Sequence, residues 1–166
     1  MTALNGSLQR IYLLRHAQAA WPMPGESDFD RSLDDKGQSE AAALAGSIAE
    51  KGYLTDRIIS SGARRCRHTA EVISRAFGRD FPVMIETDLY HGMADTYLDI
   101  INRQDGIARL VVVGHNPTNE ELLETLVGAD ATWSTIPGGY PTAGLAVIER
   151  DAESASGWAL VDFITP

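Results

Sequence analysis

A single cysteine, Cys66, among 166 residues leaves no partner for an internal disulfide. The fold must stand on its own core, and a reducing compartment is the natural setting. No apolar stretch approaches the ~20 residues that a membrane helix needs. The opening MTALNGSLQRIYLL also lacks the basic segment and apolar run of a secretory leader. The reading is a cytoplasmic protein with no membrane partner. Positive charge is scarce: 14 Lys and Arg stand against 23 Asp and Glu, a formal net charge of −9. Affinity for nucleic acid or anionic lipid comes from accumulated positive charge, so neither is an expected partner. Metal-binding patterns are missing too. The four histidines, His16, His68, His91 and His115, show no H-E-x-x-H spacing, and one thiol cannot build a thiolate site. Neither a metal nor any other cofactor is expected.

What remains is an ordinary globular composition, 44% hydrophobic and 22% charged, which argues against disorder. The length suits one domain, with its core between about residues 10 and 165. Arg10–Leu14 (RIYLL) reads as a short buried strand, Lys36–Lys51 as an Ala-rich helix closed by Gly52, and Arg57–Ser60 as a second strand. A helix from about Ala63 to Phe77 follows, closed by Gly78. Pro82–Glu86 reads as a third strand and Ala94–Asn102 as a short helix. Arg109–Val113 (RLVVV) is the strongest strand signal, and Thr118–Leu126 reads as a helix with Pro117 in its first turn. Leu145–Arg150 and Trp158–Ile164 are late strands around a Gly/Ser-rich turn. Alternating strands and helices predict an α/β three-layer sandwich around a mostly parallel central sheet.

Sites in such sheets form beyond the carboxyl ends of the strands. Three polar clusters occupy that position: Arg15-His16 after the first strand, Ser61–Arg65 after the second, and His115-Asn116 after RLVVV. Attack on a phosphoryl group needs a nucleophile with positive donors around the non-bridging oxygens. A neutral imidazole can be that nucleophile. Arg supplies a planar fork matched to phosphate geometry. His16 beside Arg15, Arg65 at a helix start and His115 as an imidazolium donor make such a set.

Those residues carry a resemblance. Leu14-Arg15-His16-Ala17 is similar to the R-H-G/A signature of the histidine phosphatase superfamily. Ser61–Glu71 resembles its S-x-x-x-R-A-x-x-T segment, with the family Arg on Arg65, and Gly114-His115-Asn116-Pro117 matches its G-H-N-P segment. Asp30–Gly37 resembles the D-x-R-x-L-(T/D)-x-x-G stretch after the first loop. The short chain without an inserted cap is most similar to the phosphohistidine phosphatase (SixA-type) branch. The resemblance implies a phosphoglycerate mutase-like fold and a phosphatase with His16 as nucleophile. Arg15, Arg65 and His115 would bind the transferred phosphoryl group, with Asn116 beside them. Mutase-like members carry a Glu after the third strand as general acid. Glu86–Gly92 shows no match here, so Asp88 or His91 takes that role, or no acid is used. A missing acid would favour substrates with good leaving groups, such as phosphohistidine in proteins. The alternatives are a small-molecule phosphomonoesterase or mutase, or a phospho-binding module with weak turnover.

Other features read as ordinary. Arg64 and Arg67 are exposed helix charges, and His68 is a surface or packing residue. Cys66 is a small hydrophobe, because a Cys nucleophile with Arg six positions on would need Arg where Val72 stands. Gly138–Pro141 reads as a turn before the late strand or as an edge of the pocket, and Trp21 and Trp133 fall in predicted loops, where they either line a mouth or merely pack.

Overall fold

Six strands form one sheet in the order β3-β2-β4-β1-β5-β6 in the computed structural model, which describes residues 4–166. In chain order the elements are β1 (Arg10–Arg15), α1 (Asp35–Glu50), β2 (Arg57–Ser60), α2 (Arg64–Ser74), β3 (Val83–Ile85) and α3 (Ala94–Asn102). Then come β4 (Arg109–Gly114), α4 (Thr118–Val127), α5 (Ala129–Thr135), β5 (Leu145–Arg150) and β6 (Trp158–Ile164). Strands β1 to β4 pair in parallel, β5 runs antiparallel to β1, and β6 antiparallel to β5. The sheet is therefore mostly parallel, as the alternation of elements predicted.

Successive side chains of a strand point to opposite faces, and the central strands are apolar on both. Ile11 and Leu13 of β1, with Leu110 and Val112 of β4, join Tyr97, Ile100, Leu122 and Leu126 from α3 and α4. Tyr12 and Leu14, with Val111 and Val113, join Leu44 and Ile48 of α1 and Ala70 and Ile73 of α2. Helices thus cover both faces, which gives the three-layer sandwich. Each large aliphatic side chain buried this way contributes roughly 1.5–3 kcal/mol.

Three expectations change. The second helix stops at Ser74, because residues Arg75–Phe77 tighten into a 3-10 turn ahead of Gly78 at φ 91°. Strand β3 keeps only three of the five residues expected. Trp133 is not in a loop: it lies on α5, where its indole N–H donates to Glu124 Oε2 at 3.0 Å. Gly128 ends α4 but also starts this seven-residue helix, so its stop signal concealed a second start. Trp21 does lie in a loop and is 88% exposed.

Candidate active site

Strand order decides the site. β2, β4 and β1 are neighbours at the middle of the sheet, so their carboxyl ends open side by side. The register pairs Arg15 with Gly114 and Ser60 with Val113. One residue further, His16 N–H donates to the Gly114 carbonyl at 3.1 Å, and Ser61 N–H to the Val113 carbonyl at 3.0 Å. The ladder therefore carries the three polar clusters out together. Gly114 is a space requirement: a Cβ there would sit 2.4 Å from the Tyr97 hydroxyl. That hydroxyl accepts from His115 N–H at 3.1 Å and donates to the Leu89 carbonyl at 3.0 Å, fixing where the chain leaves β4.

The His16 ring has a defined proton arrangement. Nδ1 lies 2.7 Å from the Ala17 carbonyl, which can only accept, so Nδ1 carries the proton. Nε2 keeps its lone pair and faces Arg65 Nε at 3.3 Å. Burial, with Arg65, Arg15 and His115 close by, pushes the ring's pKa down to about 3. His16 is neutral at physiological pH.

His115 packs edge-on against His16, with ring centroids 5.3 Å apart. Its Nε2 is 2.8 Å from Ser61 Oγ and 3.4 Å from Cys66 Sγ. Burial first, then Arg65, pushes its pKa down to about 4. The free site thus holds His115 neutral, through burial first and then through its cationic neighbours; the imidazolium expected beside phosphate belongs to the loaded site. Burial pushes the Cys66 thiol up to about 12, which removes it as a nucleophile and leaves it packing on His115.

Arg65 points inward although it sits in an arginine-rich first turn. Besides His16, it donates to the Asp28 carbonyl at 2.7 Å and to Asp28 Oδ2 at 3.0 Å. Asp28 was not singled out in the sequence. It also accepts from the Tyr90 hydroxyl at 2.7 Å and from Arg31 Nη1 at 3.0 Å. Tyr90, then Arg31 and Arg65, hold its carboxyl well below the usual carboxylate range. Arg15 donates through Nη1 to the Tyr140 carbonyl at 2.5 Å, while its buried Nε finds no protein acceptor. Tyr140 belongs to the Gly138–Pro141 turn, and its N–H donates to Glu120 Oε1 at 2.7 Å. Asn116 Nδ2 donates to that same oxygen at 2.7 Å. Asn116 is therefore anchored on α4, and His16, Arg65 and His115 form the interlocked centre.

The two candidate acids lie on the rim. Asp88 and His91 are exposed and share a groove of about 420 Å³ with Thr87, Gly92 and Thr96. His91 stacks on Tyr90 at 4.1 Å, and Tyr90 meets His115 at 5.7 Å, both between ring centroids. Tyr90 thus stands between His91 and the centre.

The motif over Asp30–Gly37 turns out to be architectural. Asp34 caps α1 by accepting from Gly37 N–H at 2.7 Å, and a Cβ on Gly37 would collide with the Gln18 carbonyl at 2.0 Å.

Known proteins place this arrangement. The sequence profile of the histidine phosphatase superfamily (branch 1) matches residues 11–91. A SixA-type protein of Agrobacterium tumefaciens, assigned as a phosphohistidine phosphatase, shares 42% identity. It covers 96% of this chain and 99% of its own, with a TM-score of 0.87. An uncharacterized Mycobacterium tuberculosis protein is 34% identical over 154 residues, 90% of this chain and 92% of its own length. The protein histidine phosphatase SixA complexed with tungstate shares the fold at a TM-score of 0.73 and 21% identity, over 95% of this chain and 97% of its own. Read with the sheet and the interlocked centre of His16, Arg65 and His115, these matches show that the chain belongs to the histidine phosphatase superfamily and is a phosphatase.

Proposed function

We propose that this phosphatase hydrolyses phosphohistidine in proteins through a covalent intermediate on His16 Nε2. The observation that carries the reading is the His16 ring: neutral, with Nδ1–H held by the Ala17 carbonyl and the Nε2 lone pair directed at Arg65. In the first step Nε2 attacks phosphorus in line, the P–Nε2 bond forms and the substrate's P–N bond breaks. The His16 ring becomes cationic, and the Ala17 carbonyl stabilises it through Nδ1–H. Arg15, Arg65 and His115 hold the non-bridging oxygens, and Asn116 supports that cradle from α4. A bound phosphoryl dianion favours a protonated His115, so the site gains a donor as substrate arrives. In the second step water attacks the phosphoenzyme, phosphate leaves and His16 returns neutral.

The leaving group explains how the reaction proceeds without Asp88 or His91. A phosphohistidine protonated on its free ring nitrogen departs as neutral imidazole, and no acid has to deliver a proton in that step. Asp28, held ionised, serves as an acceptor that orients Arg65. The 42% identity to the SixA-type protein of Agrobacterium tumefaciens supports the same substrate class.

The test is a rapid-quench experiment with a histidine-phosphorylated peptide beside an alkyl phosphomonoester. The expected result is an acid-labile, alkali-stable label on His16 and a kcat/KM far higher for the phosphohistidine. Equal kcat/KM for the two substrates would overturn the substrate class. Turnover with no label under single-turnover conditions would overturn the covalent step.

A further inference from the structure

Helix α2 starts against its own electrostatics. A helix N-terminus carries partial positive charge and favours acids in its first turn. Here the first turn has no acid, Ala63 provides no side-chain cap, and Arg64, Arg65, Arg67 and His68 fall within five residues. Arg65 is accounted for by the catalytic centre. Arg64 and Arg67 are not: neither joins an ion pair among the described residues, although the chain has nine more acids than bases. Four of the other arginines are answered by a carboxylate, Arg10 by Glu149, Arg31 by Asp28, Arg75 by Asp80 and Arg109 by Asp56. Arg67 is held in place, its Nε–H donating to the Gly62 carbonyl at 2.9 Å. With His68 and Glu71 the two guanidinium groups line an outward-facing groove of about 290 Å³. Glu71 is the groove's one acid, leaving it net positive.

We infer that this groove is a docking surface for a protein segment bearing carboxylates beside its phosphorylated residue. The inference rests on the phosphohistidine reading and specifies which phosphoproteins the enzyme prefers. The groove shares the first turns of α2 with Arg65, whose side chain reaches His16. Arg64 and Arg67 thus lie within two residues of Arg65 along α2, on its more exposed side. With a formal net charge of −9 the protein as a whole repels an acidic partner, whereas this groove sets two guanidinium groups against one carboxylate. Charge complementarity of this kind steers encounter and selects partners.

The test uses two histidine-phosphorylated peptides of equal length, one flanked by Asp and Glu and one by Ser and Gln, with an aryl phosphate as reference. The wild type is expected to favour the acidic peptide by about tenfold in kcat/KM, with the preference shrinking as salt rises. The variant R64E/R67E should abolish the preference and leave aryl phosphate turnover unchanged. R64E alone, which keeps the Arg67 bond to Gly62, should lower the preference about threefold. An unphosphorylated acidic peptide should also inhibit aryl phosphate turnover in the wild type and not in R64E/R67E. This arm does not depend on phosphohistidine chemistry. Failure to cleave either phosphopeptide, with inhibition intact, would overturn the substrate reading and keep the docking surface. Equal kcat/KM for the two peptides, or inhibition that survives in R64E/R67E, would overturn the docking surface. So would inhibition by pyrophosphate that R64E/R67E abolishes while the acidic peptide has no effect.

Discussion

The two ends of the sheet are both rich in arginine and treat it in opposite ways. At the amino ends of the parallel strands, Arg10 pairs with Glu149. Arg109 makes a two-point contact with Asp56, at 2.7 Å to Oδ1 and 3.2 Å to Oδ2. Asp56 also accepts from the N–H groups of Ala108 and Arg109, and Arg150 donates to the carbonyls of Leu4, Asn5 and Leu8. Charge and donors there are answered within the protein. At the carboxyl ends the answer is incomplete: Asp28 pairs with Arg65, but Arg15 meets only the Tyr140 carbonyl. Among the described residues, the buried side-chain polar atoms without a partner are Arg15 Nε, Asn116 Oδ1 and both amide atoms of Asn119. All belong to the end of β1 or to the start of α4. Leaving buried polar groups unmatched costs stability, and two of these atoms, on Arg15 and Asn116, belong to the last residue of β1 and to the second residue after β4, both in the candidate site. Arginine at a strand end is thus ambiguous by itself: Arg15, whose buried Nε has no protein partner, differs in this from Arg109, which a carboxylate already answers.

Substitutions at the two ends should therefore separate activity from stability. The largest effect is expected for His16→Ala, which should lower aryl phosphate turnover by at least ~10⁴-fold while the urea midpoint stays near that of the wild type. Activity within tenfold of wild type would remove His16 as nucleophile. Next come Arg15→Ala and Arg65→Ala, each expected to cost about 10²–10³-fold in kcat, the scale of losing a preorganised donor to a developing charge. Arg15→Lys should recover little of that loss, because an ammonium group cannot reproduce the planar fork. The opposite end should invert the pattern. Asp56→Ala leaves Arg109 and two backbone N–H groups without their acceptor, so it should cost about 2 kcal/mol of stability by urea unfolding, with kcat/KM within twofold of wild type. A large loss of activity in Asp56→Ala, with stability intact, would erase the distinction between the ends.

The sequence made the centre legible because its residues sit on short-range signals. His16, Arg65 and His115 each follow a strand exit or helix start marked by local pattern, and the parallel sheet brings such exits together by rule. The rim was illegible because its residues meet through loops. Asp28 lies two residues before the quoted motif and reaches Arg65 across a loop, so only tertiary structure reveals it. Tyr140 supports Arg15 over a separation of 125 residues through a backbone carbonyl, which no residue type predicts. The charge state of His115 is likewise set by its surroundings. Residue identity suggests a cation beside phosphate, whereas the burial and the Arg65 charge that keep the free ring neutral become visible only in the fold.

The smallest effect expected is a change in how stability depends on pH, and it separates the site histidines from Asp56 by titration range. Both site histidines are depressed, to about 3 for His16 and about 4 for His115, against about 6.5 when unfolded. Below pH 6.5 the unfolded chain binds protons at these rings while the folded chain does not. Their contribution is therefore complete above 6.5 and is lost as pH falls toward 4. Asp56, held below its ordinary value chiefly by its hydrogen bonds to the Arg109 side chain, contributes above about pH 4 and is lost only below it. Urea midpoints measured from pH 7 to pH 3 should thus fall first through the two site histidines and only then through the depressed carboxylates Asp28 and Asp56. His16→Ala and His115→Ala should each flatten the slope between pH 6 and 4.5 by up to about 1 kcal/mol per pH unit, and Asp56→Asn should leave that interval unchanged. Imidazole resonances of two histidines that do not titrate above pH 5, and that vanish in the respective Ala variants, would fix the assignment. Titration of both rings near 6.5 would show that the centre is not desolvated, and the neutral nucleophile would lose its physical basis.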